Sequence, residues 1–571
     1  MPFTPAVREQ RFVLDTIARI ADLAATERFE AATPDLVDAV LEGAGAFAAG
    51  EWAPLNRAGD TDGPKWTPEG VKMPAGYPQA YRDYVEGGWG TIGAPADFGG
   101  QGLPFVLASA VLETLGTANM GFALAPTLTV GAIEALLHHG TPKQQAAYLP
   151  HLATGEWTGT MNLTEPQAGS DVGALKSRAE PVGDGTFRIS GTKIFISFGD
   201  HDMADNIVHL VLARTPGAPE GTRGISLFLV PKYRLDAEGK SGDFNDVRVV
   251  SIEHKMGLHA SPTCVLSFGD NNDCIGELIG PENGGMRAMF TMMNNARLNV
   301  GLQGVQVAEA ATQKAVEFAR DRIQSARAGS PDKKPVAIIE HPDVRRMLMR
   351  MKAQTQAARA LVYLASSMVD RADTDEAAKD RLEILTPLAK AHATDLGNEV
   401  ASLGIQVHGG MGFIEETGAA QFFRDARITP IYEGTNGIQA ADLVGRKLGL
   451  SNGAAFATLI ADMRAESDAA ALRALVDACD DVGRRLAVAD ADDRLAASYP
   501  FLTMLSVAVC GWLMERQSRI AADGDDDFSR MKRAVAAFYV EQIVPEALGL
   551  HAAATAPAAS LYELPADLFA A

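Results

Sequence analysis

Two stretches carry residue types and spacings that could do chemistry. Met161-Asn162-Leu163-Thr164-Glu165-Pro166-Gln167-Ala168-Gly169-Ser170-Asp171 is a run of small, hydroxyl and turn-forming residues that can bring backbone N–H groups close to a ligand. Taken alone it reads first as a turn at a domain junction, with the ligand role the lesser reading. Ile431-Tyr432-Glu433-Gly434-Thr435-Asn436-Gly437 places a carboxylate just before the start of a helical pattern, where an isolated Glu reads as a capping or surface residue. Arg322, at the end of a long helical segment, reads on its own as a helix C-terminal cation that satisfies the dipole. No strand followed by G-x-G-x-x-G opens a helix here, and no P-loop or H-E-x-x-H is present. Cys264, Cys274, Cys479 and Cys510 are too scattered for a zinc site, so no metal is expected and the thiols are read as reduced and inert.

These motifs must be positioned by several structural units, since 571 residues correspond to roughly three or four domains. Helical signals run to about Leu163, including Val106 to Leu115 and Lys143 to Leu152, broken by a Pro/Gly-rich stretch from Pro54 to Pro78. From Trp157 to Asp270 the period changes to alternation, as in Phe187 and Ile189 or Val208, Leu210 and Leu212, predicting a compact antiparallel β-unit. Long helical segments follow over Val300 to Arg322, Pro342 to Asp370 and Asp375 to Leu403, consistent with a bundle. Ser325 to His341 reads as a surface insertion, and residues beyond about 453 as a further helical module. With 47% hydrophobic and 22% charged residues, disordered and collagen-like classes are excluded. The net charge of -21 disfavours nucleic acid and anionic lipid. The longest apolar run seen, Phe501 to Met514, is short of the roughly 20 residues of a membrane span, and charges arrive early at the start of the chain. A soluble, cytoplasmic protein without stable membrane insertion is the expectation.

The Thr164 to Asp171 stretch resembles the T-E-P-x-A-G-S-D signature of the acyl-CoA dehydrogenase family, and further family features follow in order. Gly191-Thr192-Lys193-Ile194-Phe195-Ile196-Ser197 is similar to the G-x-K-x-W-I-T strand against the flavin, with Phe195 for Trp and Ser197 for Thr. Lys255-Met256-Gly257 with Ser261 and Thr263, Arg322 with Gln324, and Gln406-Val407-His408-Gly409-Gly410-Met411-Gly412-Phe413 also match, as does Arg424-Asp425-Ala426-Arg427 leading to Ile431-Tyr432-Glu433-Gly434-Thr435. The resemblance spans roughly Gly87 to Leu450, and His408 itself is read as incidental.

The resemblance implies an α+β fold with an N-terminal helical domain (1–160), a middle antiparallel β-barrel domain (161–280), a C-terminal four-helix bundle (281–453) and an additional helical module (454–571). It implies FAD as cofactor, held by Met161, Leu163, Thr164, Gly169, Ser170, Phe195, Ser197, Arg322, Gln324, Gln406, Gly409, Gly410, Thr435 and Gly437. Arg322 and Gln324 would reach the cofactor across a subunit interface, so a homodimer is expected. Substrate contacts fall on Ser170, Arg297, Tyr432, Glu433 and Gly434. Glu433 becomes the base that removes the α-proton of an acyl-CoA while flavin N5 takes the β-hydride, with electrons passing to electron-transferring flavoprotein. Some relatives carry the base earlier, but the matching stretch Asn294-Asn295-Ala296-Arg297-Leu298 has Ala296 there. The helix dipole lowers the pKa of Glu433 and burial raises it, a balance left open. The extended ends resemble a bacterial subgroup that includes broad-range fatty acyl-CoA and 3-methylmercaptopropionyl-CoA dehydrogenases, with the general acyl-CoA reading favoured. An acyl-CoA oxidase and a DNA-associated flavoprotein with vestigial activity are the rival readings.

Overall fold

The computed structural model describes residues 3–570, apart from the side chains of 291, 292 and 294. Met1 and Pro2 of the charged start, and the Asn294 side chain of the stretch compared above, therefore lie outside the described residues. The chain forms two units: residues 42–296, and residues 3–41 together with 297–570.

In the first unit the alternation in Asn206–Ala213 sends Val208, Leu210 and Leu212 to one face of a sheet and Val211 and Ala213 to the other. Both faces are covered, which is why every residue of this strand and of Ser226–Pro231 is buried. The first face packs on Ala132 and Leu136 of helix Met120–His139 and on Leu149 and Leu152 of helix Pro142–Thr154. Thr141 and Gln144 close a capping box at the start of the latter helix. Across the sheet the strands run Val247–Ile252, Thr263–Phe268, Thr186–Ser197, Ile275–Ile279, Ser226–Pro231, Asn206–Ala213, Trp157–Asn162. Among the described residues this order is open, with an edge at each end.

The pairs are antiparallel except the last, where Trp157 to Asn162 run parallel to Asn206 to Val211. The all-antiparallel expectation is thus corrected at one edge. A parallel pair needs a long crossover, and here the connection holds the glycine-containing loop and two mutually paired strands, Arg178–Pro181 and Thr186–Ser197. Helix Met120–His139 is also apolar and long enough to cross a membrane, which corrects the expectation that Phe501 to Met514 is the longest apolar run, but most of it is buried within the protein.

The second unit is helical. Gly285–Asp321, which begins in the first unit, Pro342–Val369 and Glu376–His408 are its long helices. Small residues set how closely two of them approach: a Cβ on Gly304 would lie 2.1 Å from the Ala393 carbonyl oxygen, and one on Gly301 2.6 Å from that of Ala389. Helix Ser498–Ile520 packs against Pro342–Val369, Glu376–His408, Asn436–Gly445 and Ala470–Val488, so residues beyond 453 are built into the bundle. Residues 3–41 join it as well, with Lys532 Nζ 2.7 Å from Glu9 Oε1 and Arg371 Nη2 2.9 Å from the Ala18 carbonyl. The insertion after Arg322 folds back on its own base, Ile338 N–H bonding the Arg322 carbonyl and Gln324 N–H that of Val336. All four cysteines are buried and free, and among the described residues no cluster of potential metal ligands occurs.

Candidate active site

In the sheet unit, the loop after Trp157–Asn162 turns tightly through reciprocal Glu165–Ala168 backbone bonds of 3.0 and 2.9 Å. Its anchor is Glu165, whose carboxylate accepts from Lys193 Nζ (2.8 Å), the Ser177 hydroxyl (2.6 Å) and the Lys176 and Ser177 N–H groups. Burial pushes this carboxyl up, but the Lys193 ammonium and the hydrogen bonds outweigh it and hold it at about 2. Burial in turn pulls Lys193 down to about 8. Lys193 Nζ also bonds the Leu163 carbonyl (3.1 Å), and Ile194 N–H bonds that of Thr164 (3.0 Å), tying the loop to strand Thr186–Ser197.

With its root fixed, the loop presents Gly169 and Ser170 to solvent, and a Cβ on Gly169 would meet nothing within 4 Å. Met161 is buried, while Leu163, Thr164 and Ser197 are half-buried. On the neighbouring strand the register slips between Cys264 and Leu266, and the bulge puts Phe195 at φ 62° with the residue 60% exposed. An aromatic side chain held outward by a left-handed backbone suits a planar ligand ring laid against it.

In the helical unit, the candidate base sits in a turn of two consecutive left-handed residues, Glu433 at φ 54° and Gly434 at φ 86°. A side chain at position 434 would run into Gln439 Nε2 at 2.8 Å, so the turn requires glycine. Thr435 caps the following helix, Asn436–Gly445, by accepting from Ile438 N–H. Tyr432 donates its hydroxyl to Gln303 on the long helix. Among the described residues no acceptor takes the Glu433 N–H, which leaves it available. The Arg297 guanidinium lies alongside the turn, its Nη2 3.9 Å from where a Gly434 Cβ would be. Burial raises the pKa of Glu433, and the cations of Arg297 and Lys390 restrain the rise.

Lys390 was not legible as a site residue. It is buried on helix Glu376–His408 and donates 2.9 Å to Asn436 Oδ1. Burial pulls its ammonium down to about 7, opposed by Glu433 and Asp395. A lysine between alanines in Leu388-Ala389-Lys390-Ala391 was the available signal, because so small and apolar a neighbourhood leaves nowhere for a charge to snorkel.

Arg322 and Gln324 are exposed and linked to each other by a 2.9 Å bond. Beside them, His408 stacks on Phe318 with ring centroids 4.4 Å apart, bringing the end of helix Glu376–His408 to the end of the long helix. Gln406, Gly409 and Gly410 are therefore exposed near Arg322, and neither glycine position meets an atom within 4 Å. Gly437 is exposed at the start of its helix.

The comparisons with known proteins agree across the chain. The family model for the acyl-CoA dehydrogenase N-terminal domain matches residues 37–156, the middle domain 160–271 and the C-terminal domain 283–448. A fourth, acetyl-CoA dehydrogenase C-terminal like, matches 453–565. A 3-methylmercaptopropionyl-CoA dehydrogenase of Ruegeria pomeroyi is 44% identical over 97% of this chain and 98% of its own length. A butyryl-CoA dehydrogenase of Syntrophomonas wolfei is 36% identical over 94% of each. A chain in the solved structure described as the electron transferring flavoprotein of Acidaminococcus fermentans is 28% identical with a TM-score of 0.60, covering 72% of this chain and 97% of that one. The chain belongs to the acyl-CoA dehydrogenase family. It is an oxidoreductase acting on CH–CH donors, and its cofactor is FAD. The outward aromatic at Phe195, the open glycines at 169, 409 and 410 and the exposed Arg322 fit such a cofactor in ring and phosphate chemistry.

Proposed function

We propose that Glu433 is the base of an α,β-dehydrogenation of an acyl-CoA thioester to the trans-2-enoyl-CoA. The observation that carries this reading is a carboxylate in a strained turn, its N–H available and two buried cations acting on it. Bound FAD supplies the acceptor for the β-hydride at N5. Glu433 removes the α-proton, which needs an ionised carboxylate that is nevertheless basic. Its raised pKa meets the second requirement, and Arg297 and Lys390 secure the first. The Glu433 N–H donates to the thioester oxygen as enolate-like charge develops there. Tyr432 and Gly434 fix the turn on either side of the base, while Ser170 and Arg297 border the substrate.

Met161, Leu163, Thr164, Gly169, Ser170, Phe195 and Ser197 hold the flavin in this reading, with Thr435 and Gly437 at the helix start. Arg322, Gln324, Gln406, Gly409 and Gly410 serve the phosphate and adenosine end. Ile323 at 62% and Phe413 at 84% exposure lie in these same exposed segments and support a second subunit covering them, hence a homodimer. Electrons leave to electron-transferring flavoprotein, a partner supported by the similar chain from Acidaminococcus fermentans. The compartment is the cytoplasm.

A second reading concerns the acyl group. Identity of 44% to the 3-methylmercaptopropionyl-CoA enzyme, against 36% to the butyryl-CoA enzyme, favours a short, sulfur-containing acyl chain. Anaerobic bleaching of the purified yellow protein by acyl-CoAs from butanoyl to palmitoyl, with 3-methylmercaptopropionyl-CoA included, tests both. Rapid bleaching by the last alone establishes the narrower substrate, and rapid bleaching across the straight-chain series establishes the broader one. Glu433→Gln is expected to bind acyl-CoA with little change and to lose at least about a hundredfold in the bleaching rate. Bleaching at close to the wild-type rate removes Glu433 as the base.

A further inference from the structure

Helix Asn436–Gly445 starts three residues after the candidate base, and its first residue is held from several sides. Asn436 N–H bonds the Pro430 carbonyl at 2.9 Å, closing the loop that contains Glu433. Its side-chain Oδ1 accepts from Lys390 Nζ at 2.9 Å, and its Nδ2 donates to the Ala391 carbonyl at 3.0 Å and to Asp395 Oδ1 at 2.9 Å. Asp395 is half-buried, and its other oxygen accepts 2.6 Å from the hydroxyl of Tyr499. Tyr499 belongs to helix Ser498–Ile520, within the additional C-terminal module. A continuous set of hydrogen bonds therefore runs from that module to the loop carrying Glu433.

We infer that the C-terminal module takes part in setting the active site, with Tyr499 a positioning residue for Glu433 that acts through Asp395 and Asn436. The inference rests on Glu433 being the base.

The charges around the chain of bonds give the sign of the effect. Glu433 faces Arg297 and Lys390; Lys390 faces Glu433, Asp395 and Arg297; Asp395 faces Lys390 and Arg427; Arg297 faces Asp442, Arg446, Glu433 and Glu383. Burial raises the pKa of Asp395, and the Tyr499 and Asn436 hydrogen bonds oppose the rise. Removing the Tyr499 hydroxyl lets Asp395 take up a proton at higher pH, and Lys390 loses the anion that helps it keep its own. With Lys390 neutral over a wider range, Glu433 is harder to ionise and its titration moves up.

The test is the rate of anaerobic flavin reduction of the holoenzyme by butanoyl-CoA, or by whichever acyl-CoA of the panel bleaches the wild type fastest, measured from pH 5.5 to 9. Tyr499→Phe is expected to keep its FAD and its thermal midpoint while the acid limb of the rate moves up by roughly half a unit to one unit, about three- to tenfold in rate below that limb. Asp395→Asn should move it the same way, and the double variant no further than Asp395→Asn alone. If Tyr499→Phe loses FAD, Asp395→Asn carries the test. An acid limb unmoved in Asp395→Asn, or shifts that add in the double variant, overturns the inference. Failure of the underlying reading looks different, since Glu433→Gln would then bleach at nearly the wild-type rate.

Discussion

A base in this reaction must be charged before it acts and basic when it acts, and the surroundings of Glu433 divide these demands between burial and two cations. Because its pKa lies above the ordinary carboxylate range, the rate of flavin reduction should fall, as pH drops, well before pH 4.5 is reached. Lys390→Met removes one of the restraining cations and should move this limb to higher pH, which stopped-flow reduction at a series of pH values reads directly. Glu165 titrates in the opposite sense. It is held at about 2 in the folded protein against an ordinary 4.5, so its stabilisation is complete above 4.5 and is lost as pH falls from there towards 2. Glu165→Gln should lower the thermal midpoint at pH 7 and show a smaller drop between pH 5 and pH 3 than the wild type. Glu433 and Glu165 both stood in motifs visible in the sequence, whereas Lys390, Asp395 and Gln303 did not. Their roles depend on side chains meeting across helices distant in the chain, and a single sequence contains no record of such meetings.

At the scale of elements, periodicity identified most of the architecture. The alternation around Phe187, Val208 and Cys264 gave strands, and the apolar spacing after Val300 gave the long helices. The parallel edge pair escaped, because period-two alternation marks a strand but carries no direction for its partner. Helix contacts at Gly301 and Gly304 escaped as well: an isolated glycine in a helical pattern reads as a weak point, yet here it lets two backbones meet. Gly304→Ala places a Cβ against the Ala393 carbonyl on the helix that also carries Lys390 and Asp395. Backbone cannot yield as a flexible side chain can, so the substitution should cost about 1–3 kcal/mol in urea unfolding and slow flavin reduction together. Unchanged stability would mean that the helices can separate without loss.

At the scale of the whole chain, the question is why residues before 42 and beyond 453 belong to the bundle rather than hanging from it. Part of the answer is a buried polar knot that draws on all three segments. Lys532 Nζ bonds Glu9 Oε1 at 2.7 Å, Gln517 Oε1 at 2.6 Å and Gln356 Oε1 at 3.1 Å, while Arg359 Nη2 bonds Glu309 Oε2 at 2.8 Å and its Nη1 stands 3.9 Å from Glu9. Burial lowers the pKa of Lys532 and Glu9 counters it, so the ammonium depends on that carboxylate for its charge. A buried ion pair adds little net stability over an apolar substitute, but removing one partner strands the other. Glu9→Gln alone should therefore cost about 3–5 kcal/mol in urea unfolding, because Lys532 is left among neutral amides and the Arg359 cation. Adding Lys532→Met removes the stranded charge and should recover a large part of that loss. Equal or additive losses in the single and double variants would show that the amino-terminal helix is held by its apolar face alone, with the knot contributing only fit.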